Sequence, residues 1–178
     1  MEPQTKTAVF AGGCFWCVES DFYEVPGVSK VISGYAGGTA PNPTYETYAE
    51  GGYREAVEVT YDPTQTTFGQ LVEHLITHID PTDGSGSFFD RGAGYTNAIY
   101  YESDNEQKAA EEAIARIDAS GVYEKPLVVP LVLRTTFYPA EGYHQGYAKK
   151  NPAHYKSYRV GSGRDAFVKT HLEKLEDK

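Results

Sequence analysis

The sequence predicts a two-layer α+β domain with a ferredoxin-like βαββαβ core, a mixed sheet, an extra strand and long loops. Three observations carry that reading. Stretches that alternate apolar and polar residues, as half-buried strands do, are interleaved with stretches whose apolar residues recur at helical spacing. Their order between residues 6 and 101 is β-α-β-β-α-β, the split βαβ arrangement. Glycine and proline pairs such as Gly12-Gly13, Pro26-Gly27 and Gly37-Gly38 punctuate the joints.

Taken in order, Lys6–Phe10 reads as a strand ended by Gly12 and Gly13. A helix opens at Cys14, with Phe15, Val18 and Phe22 at helical spacing, and stops at Pro26. Val28–Tyr35 is a second strand, followed by a loop through Thr39–Thr44. Glu55–Tyr61 alternates as a strand until Asp62 and Pro63. Phe68, Leu71, Val72, Leu75, Ile76 and Ile79 then form the apolar face of a helix, opened by a Thr67/Gln70 capping box. Asp80–Gly94 is a long irregular loop of the kind that often carries function. Tyr95–Tyr101 is a strand, and a helix capped by Asp104 with Gln107 follows, closing at Gly121. Leu127–Leu133 is an edge or bulged strand because Pro130 lies within it. Gly142–Lys150 is a short helix ended before Pro152. Asp165–Glu176 is a final helix expected to pack loosely. No linker divides the chain, so residues 1–178 read as one catalytic domain, with a core of about 6–160 and a tail of about 161–178.

Composition narrows the function. The 178 residues carry 16 Lys and Arg against 25 Asp and Glu, a net charge of −9. That balance argues against a nucleic-acid surface, which needs clustered cations. No apolar run approaches the roughly 20 residues of a membrane helix. Met1–Lys6 shows no basic region followed by an apolar stretch, so a cytoplasmic protein is expected. The 15 tyrosines suit the walls of a pocket that must bond something polar.

The two cysteines, Cys14 and Cys17, form one C-x-x-C at the start of a helix that follows two glycines. Free amides and the helix dipole favour an anion there, so a thiol in that position is expected to have a lowered pKa. Cys17 lies on the same side of the helix, where regular spacing separates the Cβ atoms by about 5–6 Å. A disulfide needs about 3.5–4.5 Å, so bridging would require a distorted first turn. A metal site is not expected, since His74 and His78 are the only histidine pair at helical spacing and H-E-x-x-H is absent. The plainer alternative is that both cysteines are small buried hydrophobes.

Glu55 shares a strand face with Val57, Val59 and Tyr61, whereas Glu58 points the other way. A carboxyl on a buried face has a raised pKa and can serve as a general acid near neutrality. The alternative is a strand-end ion pair with Arg54 or a lysine.

The string Phe10-Ala11-Gly12-Gly13-Cys14-Phe15-Trp16-Cys17 resembles the signature of the type A peptide methionine sulfoxide reductase family, in its GCFWC subtype. Gly34–Gly38, Asn42–Tyr45, Arg54–Val57, Tyr61–Pro63, Asp80–Thr82, Asp90–Gly92, Tyr95–Tyr100 and Ala140–Gln145 agree in order, so the likeness spans Thr7 to Gly163. It implies that Cys14 attacks the sulfoxide sulfur and Glu55 protonates the oxygen. It further implies that the hydroxyls of Tyr45 and Tyr95 bind that oxygen or a nearby water, that Asp90 orients the site, and that Phe15 and Trp16 hold the S-methyl group. The implied substrate is the S epimer of methionine sulfoxide, free or in proteins, and no cofactor is implied. Many family members carry recycling cysteines in a C-terminal tail, and Gly161–Lys178 has none. The resemblance therefore implies a direct Cys14–Cys17 disulfide after a sulfenic acid, reduced by a thioredoxin-type partner.

Two rivals remain at this level. A thioredoxin-like disulfide oxidoreductase also starts a helix with C-x-x-C but needs neither Glu55 nor a methyl pocket. A module that binds oxidised methionine without turnover would leave Cys17 inert.

Overall fold

The computed structural model describes residues 4–178. Its elements are β1 (Lys6–Gly12), α1 (Phe15–Phe22), β2 (Val28–Ala36), β3 (Arg54–Tyr61) and α2 (Phe68–Thr77). A hairpin follows, of β4 (Gly86–Ser87) and β5 (Asp90–Arg91), then β6 (Asn97–Tyr101) and α3 (Asp104–Ala119). The chain ends with β7 (Leu131–Leu133), β8 (Tyr138–Pro139), α4 (Tyr147–Lys150), α5 (Pro152–Gly161) and α6 (Arg164–Glu176).

The main sheet has six strands in the order β7-β6-β1-β3-β2-β8. It is mixed: β6 and β7 run parallel, and the other neighbours are antiparallel. The architecture is α+β. Phe10, Val57, Val59 and Tyr61 pack with Phe22, Leu71, Leu75, Ile76 and Ala113 from the helices to form the main core. The opposite face of the same strands carries a smaller cluster of Val9, Ala11, Ala56, Ala98 and Tyr100, against which Val132 and Phe137 pack. β3 thus buries Val57, Val59 and Tyr61 on one face, and on the other buries Ala56 while Glu58 and Thr60 stay part-exposed. Glu58, on its second face, is held by Arg134 at 2.7 Å.

Local chemistry explains most boundaries. Thr67 accepts the Gln70 amide, and the Gln70 side chain returns the bond, closing the capping box expected for α2. At α3 the cap is Ser103 rather than Asp104, because the Ser103 hydroxyl accepts the Glu106 amide at 3.2 Å. β6 starts two residues later than expected, since Ala93–Tyr95 closes a 3-10 turn bonded by Thr96 Oγ1 to Ala93 O. The Asp80–Gly94 segment is irregular except for the small β4–β5 hairpin.

The C-terminal region departs most from expectation. The short helix does end before Pro152, as α4 at Lys150, though Gly142–His144 is a 3-10 turn; Pro152 then opens a further helix, α5, since proline suits a first helical turn, where its missing N–H costs nothing. α6 is anchored at its start and not loosely packed there. Arg164 is buried, donating from Nη2 to Gly12 O and Ser87 Oγ, both at 2.9 Å, and from Nη1 to His78 O at 3.1 Å. These bonds clamp the turn that leads into α1.

Gly13 within that turn has φ +84°, and a Cβ there would lie 2.3 Å from Ser87 Oγ. Gly13→Ala is therefore expected to lower stability by at least about 1–3 kcal/mol, through strain and clash together. The urea unfolding midpoint measures it.

Candidate active site

The turn from β1 into α1 sets Cys14 at the N-cap position of α1, and β3 delivers Glu55 to the same place. Glu55 is 2 % exposed, and its Oε2 accepts the Phe15 amide at 3.0 Å. Its Oε1 accepts the Tyr48 hydroxyl at 3.4 Å. Arg54 does not pair with it; Arg54 donates instead to Thr96 Oγ1 and to the Tyr100 hydroxyl. Among the described residues no cation forms an ion pair with Glu55. Burial therefore prevails and pushes its carboxyl up to about 8, aided by the charge of Asp90 and opposed by the Phe15 and Tyr48 hydrogen bonds. At neutral pH Glu55 is a protonated acid.

A cavity of about 50 Å³ opens between these groups. Cys14 and Glu55 line it together with Phe15, Trp16, Tyr45, Asp90 and Tyr95. Seven of the eight residues singled out from sequence thus share one small space. Cys17, the eighth, lies behind Cys14 and is fully buried, with its amide bonded to Cys14 O at 3.1 Å. Both thiols are free.

The walls are aromatic and fixed. Phe15 packs on Tyr35 and His144. Trp16 stacks on Tyr147 at 3.8 Å, and its indole N–H donates to His144 Nδ1 at 3.1 Å. Burial raises the hydroxyls of Tyr45 and Tyr48, and their proximity to Tyr95 and Glu55 adds to the rise, so both stay protonated donors. Asp90, on the β4–β5 hairpin, accepts the Tyr158 hydroxyl, which also reaches the cavity.

The acidity expected of Cys14 is corrected. Burial pushes its thiol well above the ordinary value, and the neighbouring Cys17 and Glu55 push it further. The helix start does not rescue it, because the first amide of α1 is spent on Glu55 and not on sulfur. Cys17 moves the other way, to about 7, through its hydrogen bond with Cys14, with Arg164 and Arg159 also favouring its anion. The inner sulfur is thus the one at which an anion is the less disfavoured.

Three groups escaped the sequence reading. Tyr48, one turn after Tyr45, was one tyrosine among many. Tyr158 sits on α5, which no apolar stripe announced. Arg164 is a cation in a tail that looked solvated, and nothing local marks its burial.

A family model described as peptide methionine sulfoxide reductase matches residues 6–176. The chain is 47 % identical over 173 residues to the peptide methionine sulfoxide reductase MsrA of Bacillus velezensis, covering 96 % of this chain and 98 % of that protein. Among solved structures, methionine sulfoxide reductase A of Corynebacterium diphtheriae aligns with a TM-score of 0.72 and 36 % identity, over 85 % of this chain and 77 % of that one. Mxr1 of Saccharomyces cerevisiae in its reduced form shares the fold, with a TM-score of 0.76 at 24 % identity, over 86 % and 89 % of the two chains. A complex of Mxr1 with Trx2 aligns at a TM-score of 0.56 and 20 % identity, over 83 % and 88 %.

Glu55 is neutral in the native state and ionised when unfolded, so the native state holds the extra proton between pH 4.5 and about 8. Its contribution to stability therefore falls as pH rises through that window. Glu55→Gln should flatten this decline relative to wild type in urea melts taken from pH 5 to pH 8.

Proposed function

Because the chain belongs to the peptide methionine sulfoxide reductase family, we propose that it reduces methionine S-sulfoxide, free or in proteins, to methionine. The observation that carries the mechanism is the shared cavity, with the Cys14 sulfur and the protonated Glu55 carboxyl among aromatic walls. A sulfoxide oxygen is a poor leaving group until protonated, and Glu55 holds the proton it needs. The Tyr45 and Tyr95 hydroxyls, with Asp90 behind them, orient the oxygen. Phe15 and Trp16 enclose the methyl group, which offers no hydrogen bond and must be selected by apolar contact.

Cys14 attacks sulfur as its own proton leaves toward Cys17. The S–O bond breaks, oxygen ends on Cys14 as a sulfenic acid, and the substrate gains two electrons as methionine. Cys17 then attacks Cys14, water departs, and a disulfide forms. A thioredoxin-type dithiol restores the thiols; the fold neighbour Mxr1 has been captured with Trx2, which supports that class of partner. We place the reaction in the cytoplasm, where such dithiols keep proteins reduced. The whole chain is read as one catalytic domain. The strand order β6-β1-β3-β2 with α1 and α2 supports a ferredoxin-like description of its core.

Two variants test this reading. Glu55→Ala should slow methionine formation in a single turnover by about a hundredfold or more. A disulfide exchanger would barely respond, so an unchanged rate refutes the role of Glu55. Cys17→Ser should release one methionine per protein and stop, leaving a sulfenic acid that dimedone traps. Sustained turnover with a dithiol protein as sole reductant would remove Cys17 from the cycle.

A further inference from the structure

We propose that Asp21 is the proton acceptor for Cys17 in the disulfide-forming step, placed by the i, i+4 spacing of α1 and open to solvent through the cavity between α1, α5 and α6. The inference rests on the Cys14–Cys17 recycling proposed above. Residues four apart on a helix lie on one face, with Cβ atoms about 5–6 Å apart, within reach of a proton passed directly or across one water. Asp21 is 93 % buried, being 7 % exposed, yet only one of its oxygens is occupied. Oδ1 is paired with Arg159 Nη1 at 2.9 Å, and Oδ2 has no hydrogen-bond partner among the described residues. A buried carboxylate oxygen left vacant is costly, and it is the oxygen free to take a proton.

The surroundings fit that task. A cavity of about 660 Å³ lies against Asp21, Tyr155, Arg159 and His78, which gives the proton an exit. The charged and titratable groups around Asp21 are Arg159 and Tyr155 from α5, Arg164 and Asp165 from the start of α6, and His74 and His78 from α2 and its end; of these Arg159, His78 and Arg164 favour its anion. Burial opposes them and raises the carboxyl above its ordinary value, nearer to that of a thiol. A base is needed at this moment and not before. In the resting pair the hydrogen bond from Cys14 lowers Cys17; once Cys14 is a sulfenic acid that thiol proton is gone, and the burial that raises Cys17 is left unopposed by it.

The step balances. Asp21 takes the Cys17 proton, the thiolate forms the S–S bond, and the Cys14 S–O bond breaks. Glu55, which spent its proton on the sulfoxide oxygen, has by then regained one from solvent; the leaving hydroxide takes it and departs as water. Asp21 then loses a proton to solvent and Glu55 regains one.

The experiment mixes reduced protein with a methionine S-sulfoxide peptide and quenches at intervals. It follows methionine and, separately, the loss of two hydrogens in the peptide that holds both cysteines. In Asp21→Asn the bridge should form about a hundredfold more slowly, the scale of a lost general base, while methionine formation, which does not use Asp21 as a base, changes far less. Bridge formation in the variant should quicken about tenfold per pH unit below the Cys17 pKa while the wild type varies far less over the same range, a contrast that a purely structural role would not create, and Asp21→Glu should recover most of the rate. Bridge rates within twofold of wild type at every pH would overturn the proposal. A second measurement needs no variant. If Asp21 serves, added formate or imidazole leaves the wild-type bridge rate unchanged; acceleration in proportion to buffer concentration refutes an internal base. Absence of any Cys14–Cys17 bridge in wild type would instead sink the recycling route, and Asp21's role with it.

Discussion

One backbone hydrogen bond, from the Phe15 amide to Glu55 Oε2, sets the terms for the rest of the site. It joins the first turn of α1 to the central strand β3, so the thiol and the carboxyl cannot drift apart. It also consumes the helix-start donor that would otherwise stabilise a sulfur anion. The bond by itself favours an ionised Glu55, yet burial outweighs it and the proton stays. Two groups are thus held neutral at rest, side by side. Two anions in so small a buried space would repel each other, and neither would escape its desolvation cost. The proposed chemistry needs one proton to be given as one sulfur acts, and a neutral pair meets that need.

The aromatic frame follows from the same constraint. A neutral acid must be kept from water, and side chains that are large, stiff and polar at one end can do this while still offering donors. Tyr48 bonds Glu55, Tyr35 bonds Glu141 at 2.9 Å, and Glu141 accepts the Tyr45 amide at 3.2 Å. Tyr45 is therefore fixed through its backbone even though its side chain is 38 % exposed at the rim. Trp16 is held on both faces of its role, by stacking on Tyr147 and by the bond to His144. A wall so tied keeps its shape before any substrate arrives, and preorganisation of this kind reduces the ordering cost of binding.

Much of this was legible in the sequence because it rests on periodicity and on short-range chemistry. The alternation in Glu55–Tyr61 put Glu55 on the core side, and the Thr67/Gln70 pair marked where α2 begins. What escaped depends on contacts between distant segments. α5 has no fully buried residue, so its pattern carries no apolar stripe, and Pro152 reads equally well as a stop or a start. The lowered thiol expected at Cys14 failed for a related reason. The rule for helix starts assumes a free amide, and a residue 40 positions away had already taken it. Arg164 contacts Gly12 across 152 positions, a pairing no local pattern encodes.

Arg164 also explains how the redox pair keeps a gradient between its two sulfurs. Its guanidinium is buried but bonded only to two carbonyls and one hydroxyl, with no carboxylate paired to it among the described residues. A buried cation lacking a counterion is costly, and that cost falls whenever a neighbour becomes anionic. Cys14, Cys17 and Asp21 all feel it. On the cavity side the Glu55 carboxyl acts in the opposite sense on Cys14, and Asp90 does so on Glu55. Negative charge is thus disfavoured where the sulfoxide oxygen would sit and less so behind it, at Cys17, where Arg164 and Arg159 favour the anion. The proposed sequence moves protons along that slope: onto oxygen at the front, away from the inner thiol at the back. One arrangement of fixed charges would then serve both the reduction of substrate and the closing of the disulfide, with the distortion confined to the first turn of α1.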